Sequence, residues 1–107
     1  MELSFANRSL REICEKQTVA VSQLGSAVAG KLRRRLADLR AAANVKELVA
    51  GRPRQIGNGR HMSISLGDDY LLVFCVNHQK VPMLDVSNVD WAKVDRVQIL
   101  RIERNHE

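Results

Sequence analysis

The fold is decided by two neighbouring segments within residues 62–76, MSISLGDDYLLVFCV. Apolar and serine residues alternate over 62–66, which is typical of a strand with one buried face. Residues 70–76 are almost all apolar, which predicts a central strand covered on both faces. The Gly-Asp-Asp sequence at 67–69 separates the two segments and predicts a hairpin turn.

Helices are expected on the N-terminal side of this hairpin. Residues 2–6 alternate as in a short strand, and Asn7 can cap a first helix over 8–16. A long second helix is predicted over 21–43, where apolar residues recur every three or four positions. Gly25 weakens that helix and can mark a turn between helices, because glycine costs about 1 kcal/mol against alanine inside a helix.

The remaining segments complete an α+β pattern. A helical turn is expected over 44–50, a turn at 57–59 and a last strand over 96–102. Residues 77–93 are expected to form a loop, packed by Trp91 rather than using it to stack on a base. The order predicts an N-terminal strand and a helical hairpin on one face of a mostly antiparallel sheet. The other face of the sheet is then free for a ligand.

Length and composition limit the class of protein. The chain has 107 residues, the size of one domain over 1–107, and 45% of them are apolar, enough for a single core. A net charge of +5 favours a polyanion or an acidic protein partner without choosing between them. No signal peptide is evident, and no segment approaches the roughly 20 apolar residues of a membrane span. We therefore predict a cytoplasmic protein with no membrane contact.

The sequence lacks the motifs of several classes of functional site. The sequence has no phosphate-binding or dinucleotide-binding glycine loop, no nucleophile elbow and no zinc-spaced His/Cys cluster, so it predicts no cofactor and no metal. A classical helix-turn-helix needs another helix after the long one, whereas strands follow here. Cys14 and Cys75 are far apart in apolar surroundings and are expected to be free thiols.

A basic cluster stands before the second predicted strand. Arg52 and Arg54 flank a proline, and Arg60 and His61 follow the glycine turn. Phosphodiester chemistry needs such groups, because negative charge gathers on the non-bridging oxygens and fixed guanidinium groups stabilise it. A solvated basic loop explains the same pattern equally well.

A second candidate cluster lies at the C-terminus, where the last strand ends. His106 can titrate near neutral pH and act as acid or base, and Glu103 can act as a base or hold an arginine. A frayed polar tail is the alternative interpretation.

The long helix carries a third set of charges. Its basic residues suit electrostatic capture of RNA or docking of an acidic protein, and a solvated helix face is the alternative. These residues are Lys31, Arg33, Arg34, Arg35 and Arg40.

The order of four segments resembles a known family. The segments are residues 3–11 (LSFANRSLR), 31–42 (KLRRRLADLRAA), 63–74 (SISLGDDYLLVF) and 97–102 (VQILRI). In this order they resemble the RelE and HigB toxins, the plasmid maintenance killer proteins of type II toxin–antitoxin systems. The resemblance implies a RelE-like fold and a cognate antitoxin, expected to be of helix-turn-helix type. It also implies cleavage of messenger RNA on the translating ribosome, without a metal and with the RNA's own 2′-hydroxyl as nucleophile.

The resemblance also implies two groups of site residues. Arg52 matches a basic position before proline, Arg60 and His61 match the basic loop, and His106 matches a terminal histidine. The implied catalytic residues are His61, His106 and Arg60. The implied RNA- and phosphate-binding residues are Arg52, Arg101 and Arg104, and the basic cluster before the second predicted strand adds Arg54 to this group.

Two departures from the family keep other functions open. Relatives commonly carry an arginine after the aromatic residue of the third strand, where this chain has Leu71 after Tyr70. The C-terminal aromatic residue of many members is also missing, and Asn105 stands near its place. The alternatives are a non-enzymatic ParE-like inhibitor of DNA gyrase and an inactive relative that modulates the antitoxin.

Overall fold

The computed structural model describes residues 1–67 and 69–104, so His106 lies outside the described residues. The strands and helices follow one another in a simple order. They are β1 (Glu2–Phe5), α1 (Arg8–Glu15), α2 (Gln17–Leu24), α3 (Ser26–Ala41), β2 (Arg54–Ile56), β3 (His61–Ser65), β4 (Tyr70–Val76) and β5 (Arg96–Arg104). Short 3-10 turns at Val45–Glu47 and Trp91–Lys93 complete the order.

The five strands form one mixed sheet in the order β1-β5-β4-β3-β2. Strand β1 runs parallel to β5, and the other three pairings are antiparallel. The predicted α+β class with a mostly antiparallel sheet is therefore confirmed. The hairpin of β3 and β4 lies where the alternation and the apolar run predict it.

The N-terminal helix begins as its sequence predicts. The side chain of Asn7 caps α1, because its Oδ1 accepts a hydrogen bond of 2.8 Å from the backbone nitrogen of Leu10. The nitrogen of Met1 donates to the carbonyl oxygens of Leu39, Arg40 and Ala42, which ties β1 to the end of α3.

The single long helix predicted over 21–43 is wrong, because Gly25 divides this region into α2 and α3. Gly25 has φ +85°, a value outside the helical region that glycine adopts readily. Its N–H still closes α2 on the carbonyl of Val21, and its own carbonyl accepts the first bond of α3 from Ala29. One residue therefore ends one helix and starts the next.

The core lies between α3 and one face of the sheet. The apolar stripe of α3 consists of Val28, Leu32, Leu36 and Leu39, all buried. It belongs to one cluster with side chains of β3, β4 and β5, namely Met62, Ile64, Leu72, Phe74, Val97 and Ile99. Burial of each leucine of the stripe contributes about 1.5–3 kcal/mol.

Strand β2 is absent from the sequence prediction. It covers only three residues, two of them exposed, and it pairs with β3 at an edge of the sheet. A strand this short and exposed has no apolar alternation, so only its pairing with β3 reveals it.

The loop over residues 77–93 is confirmed in outline. Its end carries the 3-10 turn at Trp91–Lys93, and Trp91 is buried in the main core, as the packing interpretation predicts. An isolated bridge joins Met83 to Val89 within the loop.

Arg35 connects α3 to the sheet. Its Nε donates to the carbonyl oxygen of Ser65, and its Nη1 lies 3.3 Å from Oδ2 of Asp38. The backbone nitrogen of Ser65 donates to the carbonyl of Gly51, so the chain crosses close to Arg35 before it enters β2. This arginine of the basic helix thus has a structural contact.

Candidate functional site

One face of the sheet is turned away from the helices. Side chains alternate along a strand, so the partners of the core residues point to the opposite side. Val73 is fully buried but is not part of the helix-side cluster, and its neighbours Leu71 and Cys75 share its side. We call this side of the sheet the open face.

The first row of the open face has an arginine at each end. The pairing register places Arg54 opposite Ser63, Ser63 opposite Val73, and Val73 opposite Arg101. Neighbouring strands lie about 4.8 Å apart, so the backbones of Arg54 and Arg101 are separated by about 14 Å. Two cationic side chains therefore flank two small uncharged ones across four strands.

The second row contains the histidine. His61 pairs with Ile56 on one side and with Cys75 on the other. Its Nδ1 would lie 3.9 Å from a Cβ on Gly57, so the β2–β3 turn runs beside the imidazole. Burial raises the pKa of the Cys75 thiol, so the group beside His61 stays protonated at neutral pH.

The third row holds an ion pair. Leu71 pairs with Glu103, and Nε of Arg101 donates to Oε2 of Glu103 at 2.7 Å. The carboxylate therefore fixes the guanidinium of Arg101 beside Leu71. Because both side chains are partly exposed, the pair adds orientation more than stability.

A bulge in β5 decides which arginines reach the open face. The pairing passes from Val73–Arg101 to Phe74–Ile99, which leaves Leu100 as an extra residue. A one-residue shift exchanges the two faces of a strand. Without the bulge, Arg101 would lie on the same side as Ile99, against the helices.

The predicted site residues therefore do not all lie on the same face of the sheet. Arg54, His61 and Arg101 share the open face. Arg104 does not join them, because it pairs with Tyr70 and its guanidinium carbon lies 5.9 Å from the centre of that ring, on the helix side. The sequence pattern could not show this separation, since it depends on the bulge.

The other predicted residues lie around the open face or outside the described part. Arg52 and Arg60 are exposed in the connections before β2 and β3, and Arg52 has φ +52°. His78 is not part of the site, because its Nε2 accepts a hydrogen bond from the backbone nitrogen of Asp95. Ser63, whose hydroxyl is buried in the first row, is not among the residues predicted from the sequence. The alternation of serine and apolar residues predicts which face of β3 carries Ser63. Only the pairing register shows that Arg54 and Arg101 lie in the same row as this serine.

A separate basic groove lies among the three helices. Arg33 and Arg40 line a cavity of about 580 Å³ together with Ile13, Cys14 and Ala29. Neither arginine has a carboxylate within 4.0 Å in the described part of the chain.

The thiol in this groove is held in its neutral form. Burial raises the pKa of Cys14 to about 11, with Glu15 adding to the rise and Arg40 opposing it. Glu15 on the other wall is engaged by Arg11 at 2.6 Å, so the groove retains an excess of positive charge.

Two negative findings concern the described ranges only. Over residues 1–67 and 69–104, no group of three or more His, Cys, Asp or Glu side chains could hold a metal ion. Over the same ranges, no helix has both the length and the apolar character needed to cross a membrane.

Solved toxin structures have a similar fold. A YoeB/ParE toxin from Agrobacterium tumefaciens matches with a TM-score of 0.59 and 11% identity over 100% of both chains. A YoeB–YefM complex from Staphylococcus aureus matches with a TM-score of 0.58 and 11% identity, over 100% of this chain and 98% of that one. A YoeB dimer from the same organism has a TM-score of 0.58 and 12% identity at the same coverage.

These similarities confirm the fold predicted from the sequence. At such identities they establish the fold alone. No protein-family model and no curated protein sequence matches the chain.

Proposed function

We propose that this chain, as one domain over residues 1–107, is the toxin of a type II toxin–antitoxin pair. In this proposal it acts in the cytoplasm and cleaves messenger RNA on the ribosome. The observation that carries the proposal is the presence of Arg54, His61 and Arg101 on the same face of the sheet, opposite the face that packs against α3. The similarity of the fold to YoeB toxins supports it.

The proposed reaction uses the RNA's own 2′-hydroxyl as nucleophile. The 2′-oxygen forms a bond to the adjacent phosphorus while the bond from phosphorus to the 5′-oxygen breaks. One proton leaves the 2′-hydroxyl and another is added to the departing 5′-oxygen, and we assign these transfers to His61 and His106. Negative charge gathers on the non-bridging oxygens between the two transfers.

The arginines supply the opposing charge. We assign phosphate binding to Arg54 and Arg101, with Arg52 and Arg60 approaching from the exposed turns. The ion pair with Glu103 orients the guanidinium of Arg101 before substrate arrives. Arg104 is left out of the proposed site because it contacts Tyr70 on the helix side.

In this proposal, Arg101 takes the place of the arginine that relatives carry on the third predicted strand, which is β4 here. Relatives carry that arginine where this chain has Leu71, on the open face and opposite Glu103. Arg101 is the diagonal neighbour of Leu71 on the next strand, so a guanidinium is still present in the same part of the face. This placement favours the nuclease over a non-enzymatic protein.

The test is induced expression in a bacterial host, with growth and the 5′ ends of ribosome-bound messenger RNA as readouts. We expect growth arrest and new 5′ ends for the wild type. The Arg54→Ala, Arg101→Ala and His61→Ala variants should lose at least about tenfold in cleavage, since one transition-state contact is worth several kcal/mol. The Arg104→Ala variant is the matched control, from the same strand and the opposite face, and should cleave normally.

One alternative function is that of a ParE-like gyrase inhibitor. It is supported by Leu71, an apolar residue at the position where the family carries an arginine. That protein would arrest growth with intact messenger RNA, and purified chain would inhibit DNA supercoiling by gyrase. Cleavage that persists in the Arg54→Ala/Arg101→Ala double variant would reject the proposed site. Retained toxicity of a His61→Ala/His106→Ala double variant would reject the histidine assignment.

The proposed partner is a cognate antitoxin, and the basic groove suits an acidic segment of it. Arg33 and Arg40 are seven residues apart on α3, so they lie on the same face about 10.5 Å apart along the axis. We expect charge reversal at both positions to weaken neutralisation by the antitoxin encoded beside this chain. Toxicity without the antitoxin should not change.

A further inference from the structure

Strand β1 covers only the first part of β5. Their pairing stops at Phe5 and Ile99, and the nitrogen of Ala6 makes the last backbone bond, to the carbonyl of Ile99. The pairing of β5 with β4 continues as far as Arg104. Among residues 1–67 and 69–104, the last part of β5 therefore has no neighbouring strand on the β1 side.

A cavity of about 320 Å³ lies in this gap, which we call the edge cavity. Its first wall is the bulged part of β5, where Leu100, Arg101 and Ile102 line it. Its second wall comes from the start of α1 and the end of α2. Arg101 and Ile102 point to opposite faces of β5, and both line the cavity. The edge cavity therefore lies at the rim of the sheet, beside the open face.

Apolar side chains from both walls make up more than half of the lining residues. They are Leu10, Ile13, Leu24, Leu100 and Ile102. Enzymes that bind single bases of a nucleic acid hold the base plane between aromatic or apolar side chains. The lining of the edge cavity thus suits the flat faces of a nucleobase.

The polar lining consists of two amides and a hydroxyl, from Asn7, Gln23 and Ser9. The amide of Asn7 is fixed, because its Oδ1 accepts from the nitrogen of Leu10. The exposed side chain of Gln23 makes no hydrogen bond within residues 1–67 and 69–104. Its amide offers both a donor and an acceptor, which are the two functions along the edge of an unpaired base.

Arg101 joins the edge cavity to the open face. Among the described residues that line the cavity, it is the only charged one. The same arginine ends the first row of the open face, which begins at Arg54 and runs through Ser63 and Val73. Neighbouring strands lie about 4.8 Å apart, so the cavity follows Arg101 by about one strand spacing along that row. A phosphate bound by Arg101 therefore has the cavity directly beyond it.

We propose that the edge cavity receives one base of the RNA strand whose phosphate Arg101 binds, and that Gln23 reads the edge of this base. The inference rests on the proposed function, since it takes the RNA path along the first row as its starting point. A base is the occupant that fits, because it combines apolar faces, a polar edge and an attached phosphate. An apolar side chain of a protein would fill the cavity and leave the amide of Gln23 without a partner.

The first test compares cleavage sites, mapped as 5′ ends of ribosome-bound messenger RNA, in the wild type and two Gln23 variants. The wild type should favour particular bases at one position near the cut. Gln23→Ala should reduce that preference at least about fivefold, because a bidentate contact between an amide and a base discriminates by at least this factor. Gln23→Glu should shift the preference toward guanine, since a carboxylate only accepts and guanine presents two adjacent donors.

Gln17→Glu is the matched control for the added charge. Gln17 is an exposed glutamine at the start of the same helix, and it lines the basic groove instead of the edge cavity. The preference of this variant should equal that of the wild type. Circular dichroism of all three variants should also match the wild type, because both glutamines are exposed.

The second test measures binding without cleavage, by fluorescence anisotropy of short oligoadenylate, oligocytidylate and oligouridylate with the purified chain. The wild type should discriminate among them, and Gln23→Ala should bring the three dissociation constants closer together. This readout separates the two proposals. A wild type that binds with a preference dependent on Gln23 but cuts no RNA would reject the nuclease and support the base site.

Three results would overturn the base site. They are cleavage with no base preference near the cut, a preference unchanged in both Gln23 variants, and an equal shift in Gln17→Glu. Wild-type cleavage with either of the first two results would leave the nuclease in place. If Gln23→Glu weakens neutralisation by the antitoxin and leaves the RNA preference unchanged, the edge cavity is a protein contact instead.

Discussion

Arg54 and Arg101 lie at the same level of the sheet on strands β2 and β5, with only Ser63 and Val73 between them. Their backbones are about 14 Å apart, so the two guanidinium groups suit successive parts of an extended, phosphate-bearing strand. His61 lies on the same face one row away, so the imidazole to which we assign a proton transfer is beside the proposed path.

If RNA binds as proposed, the salt dependence of its affinity should report the phosphate contacts of Arg54 and Arg101. Each phosphate contact contributes about 0.7 to the slope of log K against log salt for a single strand. Arg54→Ala and Arg101→Ala should each lower that slope by about 0.7 for a single-stranded RNA oligonucleotide, measured by fluorescence anisotropy. Arg104→Ala should leave it unchanged, and an equal loss in that variant would mean that RNA does not follow the open face.

Gly51 should tolerate no side chain. It has φ +87°, and an added Cβ would lie 2.8 Å from Nε of Arg35 and 3.3 Å from Cβ of Ile64. We expect Gly51→Ala to lower the free energy of unfolding by about 2 kcal/mol or more, from left-handed backbone strain and displacement of Arg35. Urea denaturation measures this change.

Gly30 provides the matched control for that measurement. It lies inside α3, and an added Cβ would meet nothing within 4 Å. Gly30→Ala should therefore stabilise the protein by up to about 1 kcal/mol. Similar losses in both variants would contradict the assigned role of Gly51.

Trp91 should stabilise the folded protein through its buried ring and not through its N–H group. Its Nε1 is buried and has no hydrogen-bond partner in the described part of the structure. Trp91→Phe should be nearly neutral, because it removes a buried donor and keeps most of the ring, whereas Trp91→Ala should cost about 3–5 kcal/mol. Denaturation followed by circular dichroism tests both, and a cost for Trp91→Phe near that of Trp91→Ala would reveal a partner for the indole.

The stability of the protein should fall in alkaline solution, because the buried Cys14 thiol resists losing its proton. Burial raises its pKa from 9.0 to about 11, so the folded state holds the proton more tightly than the unfolded chain. The resulting stabilisation is complete below pH 9 and is lost as pH rises toward 11. The urea midpoint should fall less between these two pH values in Cys14→Ala than in the wild type, and identical falls would show that the thiol is not desolvated.

Much of the fold could be predicted because it depends on local patterns. The cap at Asn7, the alternation in β3 and the apolar run of β4 are each visible within a few residues. Local pattern alone does not decide the break at Gly25, because glycine is tolerated inside helices and only its φ of +85° ends one here. The three residues of β2 gave no signal, because pairing with β3 alone makes them a strand.

The candidate site was predictable in composition and not in arrangement. The sequence determined the α+β class, the basic character and the identity of the arginines and histidines, because residue type and periodicity carry that information. The tertiary structure decided that Arg101 faces the open side with Arg54 and that Arg104 faces Tyr70. The physical reason is the bulge at Leu100, since one extra residue exchanges the two faces of a strand and is visible only when the strand is paired.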